Sequence, residues 1–488
     1  MKRLIFSYLL LSMTIDGVSQ KLNFTTVPIT ILDSISIQLE IGDFPVPENR
    51  TDPNSRQINL KVARIKAKQD LGYAPVMYLS GGPGGSAIND LRVSHVAKML
   101  MKLNQTHDLI LMDQRGTGNS TPKMVWSATH DFRIEHQDLT KNIFLDEKST
   151  SRVLKAFASE SLRFFKEEGF ALGGYNTLES SHDINAVCDE LSIDQIHLVG
   201  FSYGTHLTLS TLKYYPQLIK SAVCIGTEGL NNTLKLPETY NEQIRKISLL
   251  AKSDPKWKNK ESFEELLRQI YLKLTTTPLK LEIKNAYTNK IDTILFGAHG
   301  LQMVIRADIG DRNDFIYLPK MLDDLNNGDL SLLKSFVTKR YNQYQFGVHG
   351  MALSMNLSSW ASKDRLKMIN KQIEKSMLGN SMNFIEMTLR DQWEYQDLGD
   401  EYRSDFNCAV PTLFISGSLD SNTTPEQTKQ VSRGFSDFKH IIVENAGHES
   451  MIPNDEVVDA LSAFIDSGNV PIRRISTSIP VFIAPKME

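Results

Sequence analysis

A serine between two glycines is the first feature of this sequence that could do chemistry. In Gly200-Phe-Ser-Tyr-Gly204 it follows the apolar run Ile196–Val199 and precedes Thr205-His-Leu-Thr-Leu-Ser-Thr-Leu-Lys213, which can continue as a helix. A strand-to-helix turn this tight forces strained dihedrals on its central residue. Small residues on either side relieve the crowding and leave the hydroxyl projecting. Ser202 is therefore the candidate nucleophile. Such a hydroxyl needs a base, and the base needs a carboxylate to orient it. Asp420 follows the run Thr412–Ile415 through Ser416-Gly-Ser-Leu419, and His448 follows Ile441–Val443 through Glu444-Asn-Ala-Gly447. Each lies beyond the carboxyl end of a run, so all three fall at one edge of a parallel sheet. His440 opens its run and belongs to the opposite edge. His206, one helical turn past the serine, is expected to pack or to face solvent.

Acyl transfer also needs two donors aimed at the developing oxyanion. Leu79-Ser-Gly-Gly-Pro-Gly-Gly-Ser86 ends another apolar run, and its glycines let backbone N–H groups come close to a ligand. The N–H groups of Gly82 and Tyr203 are the candidate donors. A phosphate loop would require a following Lys-Ser/Thr pair, which is absent. Cys188, Cys224 and Cys408 are the three cysteines. They sit in apolar or helical surroundings and read as buried, inert thiols rather than nucleophiles.

These residues need a scaffold. Val76–Leu79, Leu109–Met112, Ile196–Val199, Ala222–Ile225, Thr412–Ile415 and Ile441–Val443 are short apolar runs separated by helical spacing. That pattern predicts an α/β fold with a mostly parallel central sheet and helices on both faces. Residues 27–68 instead alternate in Ile35–Ile41 and Ile58–Ile65 around a turn region from Pro45 to Asn54, which predicts antiparallel strands. The strand–helix alternation breaks off between Ile225 and Pro411, where helical patterns dominate. The expected organisation is a leader over 1–19, a core over 20–226, a mainly helical lid over 227–407, and the rest of the core over 408–488.

The 488 residues carry a formal net charge of −3, so no basic field argues for nucleic acid. Met1-Lys-Arg3 followed by the apolar run Leu4–Met13, with Gly17 and Ser19 beyond it, reads as a secretory signal cleaved after Ser19 or Gln20. The run is short for a bilayer span. The expectation is an exported, periplasmic or secreted protein without a stable membrane anchor. No metal or organic cofactor is implied.

Together these motifs resemble the proline iminopeptidase and tripeptidyl aminopeptidase group of α/β-hydrolases. The likeness rests on Phe44-Pro-Val-Pro-Glu-Asn-Arg50, Gly81-Gly-Pro-Gly-Gly85, Asp113-Gln-Arg-Gly-Thr-Gly118, Gly200–Gly204, Pro411–Asp420 and Asn445-Ala-Gly-His-Glu449. It covers most of 40–225 and 400–465 and is thin across the lid. One departure stands at Ser80, where the group usually has His. The resemblance implies a serine aminopeptidase acting on a peptide or small molecule with a free N-terminus. Lid glutamates then bind the α-ammonium, with Glu228 the first candidate and Glu238 and Glu394 weaker ones. Asp113 and Arg115 are expected to hold loops. An esterase or other amide hydrolase with the same triad, or an inactive ligand-binding homologue, would share these features.

Overall fold

Runs that are apolar at consecutive positions can bury both faces of a strand, and here they do. The computed structural model describes residues 22–32, 34–470 and 474–485, so the expected leader lies outside the described residues. Ten strands form the main sheet: β1 (Thr25–Ile31), β2 (Ile35–Pro47), β3 (Gln57–Ile65), β4 (Val76–Leu79), β5 (Leu109–Asp113), β6 (Ile196–Phe201), β7 (Ile219–Ile225), β8 (Thr412–Gly417), β9 (Phe438–Glu444) and β10 (Arg474–Ser476). Their spatial order is β1-β2-β3-β5-β4-β6-β7-β8-β9-β10. The pairs β1/β2, β2/β3 and β3/β5 are antiparallel. All remaining neighbours are parallel. The mostly parallel sheet expected from the sequence is therefore present.

Alternate side chains of each central strand enter two cores. Val76, Tyr78, Val199, Val223 and Ile415 face one, with Val96, Met99 and Leu100 of α1 (Ser94–Leu103). Met77, Leu198, Ala222 and Phe414 face the other, with Ile184 and Val187 of α2 (Thr177–Glu190) and Leu207 and Leu212 of α3 (Tyr203–Tyr214). On the first face α4 (Asp455–Ser467) contributes Val457, Leu461 and Phe464. Its ends follow local rules. The Asn454 side chain accepts from the Val457 N–H, and Gly468 closes the helix at φ +71°.

Two details differ from the sequence expectation. β2 runs on through Pro45 and Pro47, placed there as a turn. Because β1 pairs only with Ile35–Ile41, β2 is an edge strand beyond that point, where prolines are tolerated. The segment between β7 and β8 contains helices such as Pro237–Ser253, Phe263–Thr276 and Gly350–Ser359, but also an antiparallel hairpin of Leu279–Lys284 and Ile291–Phe296.

The Asp113-Gln-Arg115 segment ties loops beneath the site. Asp113 accepts from Ser86 Oγ at 2.7 Å and Ile88 N at 3.1 Å, and from Asn119 N at 2.8 Å. The fully buried Arg115 donates to both oxygens of Asp183 at 2.8 Å. It also donates to the carbonyls of Glu48 at 2.5 Å and Gly174 at 2.6 Å. A bidentate pair with its remaining protons satisfied can be buried; half of one cannot. Replacing Arg115 with Met should therefore destabilise the fold by ~3–5 kcal/mol in urea denaturation. A loss below ~1 kcal/mol would mean that Arg50, also 2.7 Å from Asp183, satisfies the carboxylate alone.

Candidate active site

Ser202 ends the β6–α3 junction at φ +54° and ψ −122°, a region that residues with a Cβ rarely enter. Its neighbours explain how it is held there. A Cβ at Gly200 would lie 2.5 Å from the Gly204 carbonyl oxygen, and one at Gly204 only 2.0 Å from that of Leu79. The Ser202 N–H donates to Ile225 O of β7 at 2.9 Å, fixing the turn to the neighbouring strand.

The turn aims the hydroxyl at an imidazole 246 positions away. His448 Nε2 lies 2.9 Å from Ser202 Oγ, and His448 Nδ1 lies 2.8 Å from Asp420 Oδ2. Asp420 is buried, and its other contacts are donors: the N–H groups of Asn422 at 2.8 Å and Thr423 at 3.0 Å, and the Thr423 hydroxyl at 2.5 Å. The Phe201 ring lies 5.1 Å from the His448 ring, covering one side of it.

The glycine loop reaches the same place. A Cβ on Gly81 would come within 3.1 Å of Ser202 Cβ, so the loop passes directly beside the serine. Gly82, at φ +120°, lines the cavity above the serine. Tyr203 is the first residue of α3, where N–H groups have no intrahelical acceptor. Ser80, just before the paired glycines, donates to Asp90 Oδ2 at 2.7 Å and so anchors the loop's base.

That cavity measures about 430 Å³ and is walled by Ser202, His448, Gly82 and Thr423 on the core side. Glu228, Lys235, Arg306, Asn383 and Glu386 complete it from the segment between β7 and β8. Glu228 reaches the wall already paired: Lys235 Nζ is 2.6 Å from its Oε2. Glu386 Oε1 accepts from Asn356 Nδ2 at 3.1 Å, and no cation lies within ion-pair distance of it among the described residues. Arg306 donates to the Met382 carbonyl at 3.2 Å and has no carboxylate at ion-pair distance among the described residues. Glu238 and Glu394 stay outside the cavity, half-exposed and paired with Arg245 and Lys166. Among the described residues no cluster of three or more His, Cys, Asp or Glu is placed to hold a metal ion.

Residues 74–455 match the alpha/beta hydrolase fold family. The chain belongs to that family. It is 24% identical over 264 residues to a putative hydrolase, YuaR, of Escherichia coli strain K12, covering 51% of this chain and 50% of that protein. It is 30% identical over 134 residues to a probable alcohol acetyltransferase of Wickerhamomyces anomalus, covering 25% of this chain and 39% of that one. The chain thus spans about half the length, or less, of these relatives. A solved proline iminopeptidase of Mycobacterium smegmatis aligns at 15% identity and a TM-score of 0.39, over 87% of this chain and 98% of that chain.

Other groups in this chain behave as structure. His206 packs: it is fully buried, 3.2 Å from Gly229 O and 2.9 Å from the Tyr402 hydroxyl, and burial lowers its pKa to about 4. The three cysteines are free and buried, and burial raises each thiol, Cys188 to about 12. Among the described residues no helix is long and apolar enough to cross a membrane. Sequence reasoning missed Thr423, although Asp420-Ser-Asn-Thr-Thr-Pro425 carries the turn and capping signal for it. It also missed Lys235, Arg306 and Glu386, which only tertiary folding brings to the serine.

Burial opposes charge on both members of the pair, yet their mutual attraction prevails. Asp420 is pushed up by burial but held below 3.8 by the His448 charge and by its donors. His448 is pushed down by burial but raised above 6.5 by Asp420. The imidazole must be neutral to accept a proton, so ester hydrolysis should rise with pH through a midpoint above 6.5. Asp420→Asn removes the raising charge. It should move that midpoint down and cut the plateau rate by about 10⁴-fold, as measured in pH–rate profiles. Stability follows the opposite signs. The Asp420 contribution is complete above its unfolded pKa of ~3.9 and is lost as pH falls through the lower folded value. The His448 contribution is complete below 6.5 and is lost as pH rises through the higher folded value.

Proposed function

We propose that this chain is a serine aminopeptidase that releases N-terminal residues from peptides through an acyl-enzyme. The observation that carries the hydrolytic part is the continuous relay from Ser202 Oγ through His448 to Asp420, with both contacts below 3 Å. His448 takes the proton from the hydroxyl while Asp420 holds the imidazole and stabilises its charged form. Ser202 attacks the carbonyl carbon, and the N–H groups of Gly82 and Tyr203 receive the oxyanion. His448 then protonates the departing amine. Water, deprotonated by the same imidazole, attacks the acyl carbon and restores the free serine.

The aminopeptidase part is supported by carboxylates in the cavity wall. An α-ammonium leaving water beside the scissile bond needs an anionic partner. Glu228 must share itself with Lys235, whereas among the described residues Glu386 has only the Asn356 amide to satisfy it. Glu386 is therefore the better-placed partner, with Glu228 keeping the cavity's charge balanced against Lys235. The apolar run near the amino terminus supports export of the protein.

A panel of free and N-acetylated aminoacyl arylamides tests this reading. Free substrates should be cleaved and acetylated ones at least about 10-fold more slowly, since one unpaired charge interaction is worth a few kcal/mol. Ser202→Ala should abolish turnover and labelling by a fluorophosphonate probe. Glu386→Gln should raise KM for free substrates and leave simple esters untouched. Equal cleavage of free and acetylated substrates would point to an esterase or general amidase instead.

A further inference from the structure

A second cavity adjoins the first, and its chemistry is different. It measures about 230 Å³ and is lined mostly by apolar side chains, among them Val153, Phe157, Tyr344, Val348, Leu353 and Ile385. Asn356 and Glu386 line both cavities, so the hydrogen-bonded pair forms their common wall. Ala352 brings this second chamber up to the glycine loop. It lines the chamber, and its Cβ lies 3.7 Å from where a Cβ on Gly84 would stand. The chamber therefore reaches the candidate oxyanion loop and adjoins the charged cavity across the Asn356–Glu386 wall.

We propose that this chamber is the acyl-side specificity pocket and takes an apolar side chain on the residue whose carbonyl Ser202 attacks. The inference rests on the aminopeptidase reading above and deepens it. In an N-terminal residue, ammonium and side chain spring from the same carbon. A pocket for the side chain must then open next to the partner of the ammonium, and the shared wall at Glu386 meets that condition. An apolar cavity of roughly 150 Å³ holds a benzene ring. A chamber of about 230 Å³ thus has room for a phenylalanyl or leucyl side chain. Burying either gains about 1.5–3 kcal/mol, roughly 10- to 100-fold over glycine. Because one wall carries the Glu386 carboxylate, an anionic side chain gains nothing by entering.

The test compares glycyl, alanyl, leucyl and phenylalanyl arylamides on wild type, Ala352→Phe and Val348→Phe. Val348 belongs to the short strand Gly347–His349, paired with Val125–Ser127, so a second variant on a separate element reports on the chamber even if the Ala352 variant disturbs the glycine loop or fails to fold. On wild type, kcat/KM should be at least 10-fold higher for leucyl and phenylalanyl than for glycyl substrates. Filling the chamber should erase that preference while glycyl turnover and fluorophosphonate labelling of Ser202 persist. A wild type indifferent to side-chain size, or a Val348→Phe variant that keeps its preference, overturns the proposal. Should no aminoacyl arylamide be cleaved, 4-nitrophenyl acetate and octanoate read the same chamber. An octanoate preference lost in Val348→Phe then upholds the pocket and places the failure with the aminopeptidase reading. Equal rates on the two esters overturn the pocket as well.

Discussion

Everything at this site depends on one backbone position held where it would not rest by itself. A serine at φ +54° and ψ −122° costs on the order of 1–3 kcal/mol. The neighbourhood leaves the chain little choice. β6 lies between β4 and β7, the Ser202 N–H is fixed to Ile225 O, and the Ser202 carbonyl accepts from Thr205 N at 2.8 Å. Gly200 and Gly204 are required because the strand enters and the helix leaves within van der Waals contact of each other and of β4. The same closeness brings Gly81 against the serine, so the turn and the glycine loop cannot be repositioned independently. Strain, close packing and candidate oxyanion donors form one unit.

The imidazole shows how strongly local partners decide protonation. His182, His197, His206, His299 and His440 all have lowered pKa values, with burial the largest cause in each. His206 even has the Glu228 carboxylate 3.8 Å away, and burial still wins. His448 alone among these is raised, although it too is buried. What differs is a directly bonded carboxylate with the rest of its lone pairs already satisfied. A hydrogen-bonded charge at 2.8 Å outweighs desolvation where one beyond bonding distance does not.

The core of the fold was legible because its signals are local. Apolar runs of three or four residues between stretches of helical spacing fit a doubly covered sheet, and all six such runs became strands. Ser202, Asp420 and His448 could be picked out because each lies just beyond a strand end, where the sheet's geometry converges them. Arg115 was readable as a loop anchor, but not its partner Asp183, which sits mid-helix with nothing local to mark it. The hairpin of 279–296 was hidden by its setting. Leu281, Ile283, Ile294 and Phe296 alternate properly, but within a long stretch of helical spacing. Lys235, Arg306 and Glu386 carry no local signal, because their meeting over the serine depends on how helices dock on one another.

That division has a physical consequence for substrate choice. The core contributes the candidate nucleophile, base and oxyanion donors, a constellation that can serve an ester and an amide alike. On the proposed reading, selection falls to the segment between β7 and β8, and the charged residues that it brings to the cavity wall are in unequal states. Glu228 is satisfied without a ligand, because Lys235 neutralises it. Arg306 and Glu386 are not: among the described residues each bonds to one neutral group, a carbonyl or an amide. In open water such groups would be solvated, but a substrate filling the cavity expels that water and leaves them needing new partners. A substrate bearing a cation near the attacked carbonyl supplies one for Glu386, and a neutral ester of the same size does not. On the proposed aminopeptidase reading, pairing with Glu386 repays part of the hydration that a substrate cation loses on entering, and a neutral ester leaves that carboxylate without a partner.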